Sequence, residues 1–467
     1  MPGTADREAV LDSAVRERTR VLVLFGLAGR VAPPGPGASG HRLVDAFDFG
    51  RFTQHLRSGE PLLPVAVLIE SVAPGELRLP ERARGLALTG ARILLVTTPR
   101  GDATLLLDCD FADETPADAV ASWLAGTCFD RHAIHLGARP LLDALTDRLG
   151  LSEPLAFGQN VHQLVFPGGR LREELLHAQN TDETLLAEPL GEMIYRGRLP
   201  GPAAAHPGAA RVPHLHHHGV TLTAHGRGVS VQTGWAPHVE NGLAVVALCM
   251  VSALSVLQRT RLAAFDVMRA NEQAPAHSPA EIRTLISRLS AGVNELQLDL
   301  AFGVEAYVDS LLIPEMVTEG FQSSLRDTLG VRDSLDNSAR MVERLTSVIN
   351  ARSAALDAAL AERAERRDRT VSGLVAAATL IALPPTLLLA FFGVNGTNVD
   401  DHRSIFDLRE YGTAYVVAWL PFVALVLIGW VLLRRAARRS RTLLTDPGDA
   451  PARAPAVVPA PRPPSGS

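Results

Sequence analysis

Lysine is absent from the 467 residues, so all 45 basic side chains are arginine. With Ala, Gly and Pro abundant, this preference reflects codon bias and not a nucleic-acid surface, and the net charge of −5 gives no reason to expect a nucleic-acid partner. Cysteine is scarce: Cys109, Cys128 and Cys249 are odd in number, far apart and never in a CxxC pair, which excludes a disulfide framework or a thiolate zinc site and leaves reduced, buried thiols. The first ten residues, MPGTADREAV, have no apolar core, so no export signal is expected. Also missing are a P-loop, a GxSxG elbow and an HExxH pair, and no catalytic constellation is found, so no enzyme is expected. The sharpest absence is local. Val371–Phe392 and Gly412–Leu433 contain no Asp, Glu, Lys, Arg or His.

Those two runs are what the chain has in place of a catalytic motif. A 22-residue helix is roughly 33 Å long, enough to cross a bilayer core, and in lipid only a helix or a closed barrel satisfies its own backbone. Arginines flank the pair: Arg363, Arg366, Arg367 and Arg369 before the first run, and Arg434, Arg435, Arg438, Arg439 and Arg441 after the second. The loop between them, 393–411, holds only Arg403 and Arg409 against Asp400, Asp401, Asp407 and Glu410. The bias toward internal arginine predicts a membrane hairpin, 371–392 and 412–433, in the cytoplasmic membrane, with both termini in the cytoplasm and the acidic loop outside. A mean hydropathy of +0.12 fits a large water-soluble portion carrying a small lipid-embedded part.

Residues 1–240 read as a cytoplasmic α/β domain. Strands are expected at Val21–Leu27, Leu62–Ile69 and Val161–Phe166, with hairpins at Leu86–Thr98/Ala103–Leu107 and Val220–Ala224/Val229–Thr233. Helices are expected from Thr115-Pro116, with Thr as cap and Pro at the first position, over Arg139–Leu149, and over Leu171–Gln179. Arg198–Pro213, rich in Pro, Gly and Ala, reads as a loop. From 241 to 370 the pattern is helical. Gly242–Gln258 is a strongly apolar helix of about 17 residues, short for a third span and better read as a buried core helix, and Ser278-Pro279-Ala280-Glu281 is a capping box. Asp333–Arg369 has no Gly or Pro and repeats Leu335, Val342, Ile349 and Leu356 every seven residues, with Leu345 offset by three. That stripe predicts a stalk helix, 333–370, roughly 55 Å long, packed around a symmetry axis and running into the first span; a helix pair within one subunit is the other arrangement the same spacing permits. Residues 434–467 form a basic and then Pro-rich cytoplasmic tail.

The stretch Leu383-Pro384-Pro385-Thr386-Leu387-Leu388-Leu389-Ala390-Phe391-Phe392-Gly393-Val394-Asn395 resembles the end of the first span in the CorA-type, two-span Gly-x-Asn channels and transporters of divalent cations. Pro384, Thr386, Phe392, Gly393 and Asn395 fall at matching spacings, and the layout of α/β domain, long helix, two spans and basic end is similar. The resemblance implies an α+β, α/β/α-like cytoplasmic domain with a helical stalk and two transmembrane helices per subunit, assembled as a homopentamer around the first span. It implies a selectivity filter at Gly393, Val394 and Asn395, with Thr386, Leu388 and Phe391 as pore-lining candidates, and regulatory divalent cations on carboxylates between subunits. Thr386 alternatively bonds the carbonyl one turn back and offsets Pro384 or Pro385, and for carboxylates such as Asp333, Asp336 and Glu343 a solvated helix face is the default. The middle filter residue, Val394, is similar to the branch associated with zinc, and Gly396–His402 stands where the family's acidic loop signature would be.

The chemistry has its own logic. Mg²⁺ and its neighbours give up water reluctantly, so a filter need only hold the hydrated ion. A ring of Asn395 amides offers neutral carbonyl oxygens to bound water, and Gly393 lets the backbone turn close to the axis. Asp400, Asp401, Asp407 and Glu410 concentrate cations at the mouth. The cargo expected is Mg²⁺ or Zn²⁺, Co²⁺ or Ni²⁺, with no catalytic cofactor and with membrane lipid and other copies of the chain as partners. His214, His216, His217 and His218 form a His-x-His-His-His run, expected on a loop, where imidazoles suit a cytoplasmic transition-metal site; a solvated loop is the plainer reading. The rival function is a membrane-anchored metal sensor or signalling protein whose coiled stalk relays a signal without ion flux.

Overall fold

The computed structural model describes residues 18–32, 42–59, 63–83, 85–112, 114–181, 186–197, 214–218, 221–273, 279–308, 312–394 and 407–444. The chain divides into two units, Met1–Leu356 and Asp357–Ser467.

The first unit is α+β. Its strands are β1 (Thr19–Arg30), β2 (Val65–Val72), β3 (Leu77–Arg78), β4 (Leu88–Thr97), β5 (Asp102–Phe111), β6 (His135–Leu136), β7 (Arg139–Pro140), β8 (Ala156–Phe166), β9 (His214–His218), β10 (Thr221–His225) and β11 (Val229–Gln232). Eight of them form one mixed sheet in the order β2-β4-β5-β1-β8-β11-β10-β9, antiparallel throughout except for the β11–β8 pair. The other three make a small satellite sheet. The helices of this unit are α1 (Leu43–Ala46), α2 (Thr53–Ser58), α3 (Ala117–Phe129), α4 (Leu141–Leu149), α5 (Gly169–Thr181), α6 (Glu188–Tyr195), α7 (Pro237–Gln273), α8 (Pro279–Leu300, running on through a π-helical turn at Ala301–Glu305), α9 (Ala306–Val308), α10 (Met316–Leu329) and the start of α11 (Val331–Val394); the second unit holds the rest of α11 and α12 (Leu408–Leu444).

Strand β1 is central and apolar on both faces because successive side chains point in opposite directions. Leu22 and Leu24 join one core with Leu94, Val96, Leu106, Leu164 and the long helix α7. Val21, Val23 and Phe25 join a second with Ile93, Leu105, Val165 and residues of α3, α5 and α6. The result is three layers, helices on both faces of the sheet. The β4–β5 hairpin expected from sequence is present, its turn closed by the Gly101 amide donating to the Thr98 carbonyl at 2.8 Å. Gly101 sits at φ +88 with the Val31 carbonyl 2.9 Å from where a Cβ would stand, so only glycine fits.

Several expectations are revised. Thr115 does not cap α3: its hydroxyl donates to the Ala112 carbonyl, and Pro116 is the extended residue before the helix. Arg139 and Pro140 are strand β7, and the amphipathic helix begins at Leu141. Ser278 of the capping box and the loop 198–213 lie outside the described residues. The boundary expected at 240/241 falls inside one core, since Leu243–Leu257 of α7 pack on the sheet. The heptad stripe is also spent within the chain. Val342, Leu345 and Ile349 of α11 are buried in the same core as α7 and α8, and Leu335 packs against it. The stripe therefore makes a helix layer within this chain up to Ile349, the second arrangement that its spacing permits.

Candidate functional site

Helix α11 runs unbroken for 64 residues, so the domain's last core helix and the charge-free run 371–392 are one element. It survives Pro384 and Pro385, which remove the amides that would bond the Leu380 and Ile381 carbonyls. The Thr386 hydroxyl donates to the carbonyls of Ala382 (3.0 Å) and Leu383 (2.9 Å). It therefore bonds one turn back, as its position suggests, yet it does not serve the two carbonyls that the prolines orphan. Leu388 and Phe391 lie on the same helix. Gly393 and Val394 are its last residues, so Gly393 is helical and not the turn that sequence suggested; Asn395, Asp400 and Asp401 lie outside the described residues.

On the far side of the loop, Asp407 does structural work. Its carbonyl accepts from the amides of Glu410 and Tyr411, and its Oδ1 accepts from the Arg409 amide at 3.1 Å, so it caps α12. Glu410 sits in the first turn, where a carboxylate favours the helix dipole. Helix α12 bends by 48° between Leu408–Val417 and Phe422–Val431, at the break that holds Pro421. Large apolar side chains along both runs stay exposed: Leu374 (67%), Ile381 (66%) and Val417 (72%) among them. Among the described residues, one unbent helix, α7, is long and apolar enough to cross a membrane, and 94% of its apolar window is buried inside the first unit, as expected of a core helix; the bent α12 pair is the second candidate.

The histidine run is a strand, not a loop. β9 is the edge of the large sheet, paired antiparallel to β10 with His216 opposite Thr223 and His217 opposite Leu222. Leu215 and His217 are half-buried while His216 between them is exposed, so the period of two sends neighbouring imidazoles to opposite faces. Among the described residues no group of three or more His, Cys, Asp or Glu is arranged to hold a metal. Asp333, Asp336 and Glu343 are exposed on α11; Glu343 borders an open groove of about 520 Å³ with Gln297, Glu305 and Asn350.

Sequence reasoning missed the buried polar clusters of the first unit. Arg20, in the apolar strand β1, forks onto Asp108 (2.7 and 2.9 Å) and reaches the Asn241 side-chain oxygen (2.8 Å). Burial alone would raise the Asp108 pKa; the guanidiniums of Arg20 and Arg92 outweigh it and hold the carboxyl below its usual range. Arg259 of α7 forks onto Asp102, and Arg259, Arg30 and Arg100 converge on Asp299, which is 1% exposed. The third cluster is a directed chain. His162 Nδ1 lies 3.3 Å from the Arg227 carbonyl and so must donate. Its Nε2 then accepts from the Ser230 hydroxyl (3.0 Å), Ser230 accepts from His225 Nδ1 (3.1 Å), and His225 Nε2 accepts from the Gln232 amide (3.1 Å). Burial pushes the His162 pKa down to about 4. The first two clusters tie the sheet to α7 and α8, and the third ties β8, β10 and β11 to one another; Cys109 and Cys249 are buried thiols whose pKa burial pushes up. For Arg20, Asp102 and Asp108 the sign in sequence is a charge interrupting or bounding an apolar strand; the His162–Ser230–His225–Gln232 chain carries no such mark.

Compared with protein-family models, with characterised proteins and with solved structures, the chain finds no match.

Proposed function

We propose that the chain is one subunit of a homo-oligomeric membrane protein, a pentamer by resemblance to the CorA type, that moves divalent metal cations across the cytoplasmic membrane. The path runs along the 371–392 segment of α11, and Gly393, Val394 and Asn395 form the outer filter. The observation that carries this reading is the continuity of α11. A helix whose first half is held in the core of the α+β unit goes on, without a break, into 22 charge-free residues, among which Val371, Leu374, Val375, Ile381, Leu383 and Leu387 are exposed in the single chain. Side chains of that kind call for lipid or for further copies. With no carboxylate along the run, no fixed charge traps a divalent ion midway, and a membrane potential favours inward movement of two charges by roughly 4.6 kcal/mol per 100 mV.

The test is uptake of Mg²⁺, Zn²⁺, Co²⁺ and Ni²⁺ into vesicles reconstituted with the purified full chain, with and without a pH gradient. Asn395→Ala is expected to abolish uptake or its selectivity while the oligomer still assembles. Uptake unchanged by Asn395→Ala, or no uptake of any of the four ions, overturns the reading in favour of an anchored sensor.

A further inference from the structure

Helix α12 does not end where its apolar run ends. It continues for about three turns past Leu433, to Leu444. The added residues, Arg434-Arg435-Ala436-Ala437-Arg438-Arg439-Ser440-Arg441-Thr442-Leu443-Leu444, contain five arginines and no carboxylate. At 100° per residue the five arginine positions fall within an arc of about 160°, and Ala436, Ala437, Ser440, Leu443 and Leu444 fall together on the other side. An internal-arginine rule needs only charge near the span's end; it does not need the charges sorted to one helix face. The sorting requires the segment to be a helix, and the structure has it as one.

We propose that this basic face of α12, Arg434 to Arg441, binds the headgroups of anionic phospholipids at the inner leaflet. The inference rests on the membrane reading of 412–433. Eleven residues at 1.5 Å each extend about 16 Å, so the arginines lie from the headgroup layer outward to about a Debye length, where a negative leaflet still attracts them. Guanidinium is the cation suited to phosphate, which it meets with two parallel donors. The arginine positions carry charge complementary to phosphate and follow the span directly along the same helix, so the occupant is lipid.

The experiment is hydrogen exchange of the full chain in vesicles of phosphatidylcholine alone and with about a third phosphatidylglycerol, at low and at high salt. Amides 434–444 are expected to exchange about tenfold more slowly in the anionic vesicles. The slowing is expected to vanish in 0.5 M salt and in the R438Q/R439Q/R441Q variant, which keeps Arg434, Arg435 and the arginines before the first span to fix orientation. Equal exchange in the two lipids overturns the proposal, as does slowing that survives both salt and the variant. Amides 412–433 serve as the separate control: if they exchange freely in every vesicle, the membrane reading itself has failed, whereas protection there with no lipid effect at 434–444 rejects the lipid site alone.

Discussion

The pH stability of the α+β unit turns on His162. Buried at 1% exposure, it titrates near 4 in the folded protein against about 6.5 when unfolded. Between those values the unfolded chain holds one proton more than the folded one, so stability rises with pH. The contribution is complete above about pH 6.5, shrinks as pH falls, and is gone below about pH 4. The difference between 6.5 and about 4 is worth about 3.5 kcal/mol in full, of which about 3 kcal/mol is lost by pH 4. The structure gives the reason beyond burial. With Nδ1 committed to the Arg227 carbonyl, a second proton goes to Nε2, which then faces Ser230 as a donor and strands the hydroxyl proton that Ser230 had given it. The assay is guanidinium unfolding of the full chain in detergent, followed by Trp123 and Trp235 with Trp419 and Trp430 replaced by Phe. Trp235 donates its indole N–H to Gln232, within the same chain of bonds. His162→Gln removes the proton and keeps an amide for Ser230. The stability difference between the wild type and this variant is expected to narrow by about 3 kcal/mol from pH 7.5 to pH 4. Curves that stay parallel across that range refute the reasoning.

Other consequences are as direct. Arg20→Ala leaves the Asp108 carboxylate buried with Arg92 as its remaining arginine, and is expected to cost about 3–5 kcal/mol in the same unfolding assay. Because Asp108 is held below the usual carboxylate pKa, the pair's contribution is present above the unfolded value near 4 and fades as pH falls through the lower folded value, a window below that of His162. Gly158→Ala is expected to lower stability by about 1–3 kcal/mol, since its Cβ would stand 2.6 Å from the Gly26 backbone carbonyl. Gly26→Ala is expected to cost less and to be relieved by Ser255→Ala, because what it meets first is a serine hydroxyl that can turn away. A thermal melt ranking the two glycine variants in the opposite order contradicts the packing described between β1, β8 and α7.

What was legible came from patterns whose period is local. Val21–Leu27 reads as a strand from its unbroken apolar run, and the Pro99–Asp102 turn fixes the β4–β5 hairpin because proline and glycine set the backbone there directly. The uncharged runs and their arginine flanks need no partner in space to be recognised. The His-x-His-His-His segment was misread because strand pairing is not a property of five residues: β9 exists because β10 offers it a ladder of amides and carbonyls. The heptad of α11 permits a symmetry axis or a helix pair within the chain, and the choice falls to α7 and α8, which supply the complementary surface. Spacing gives the face of a helix and never names what covers it.

By itself, then, the sequence determined the charge-free runs, the place of Gly393–Asn395 in the chain and individual elements such as β1, the β4–β5 hairpin and α5, since each is written in neighbours a few residues apart. Only the tertiary structure decided between core helix and third span for α7, and showed that Arg20 meets Asp108 across 88 residues, that Asp299 gathers Arg30, Arg100 and Arg259, and that His162 stays neutral. Burial and long-range pairing set those energies, and neither has a period along the chain.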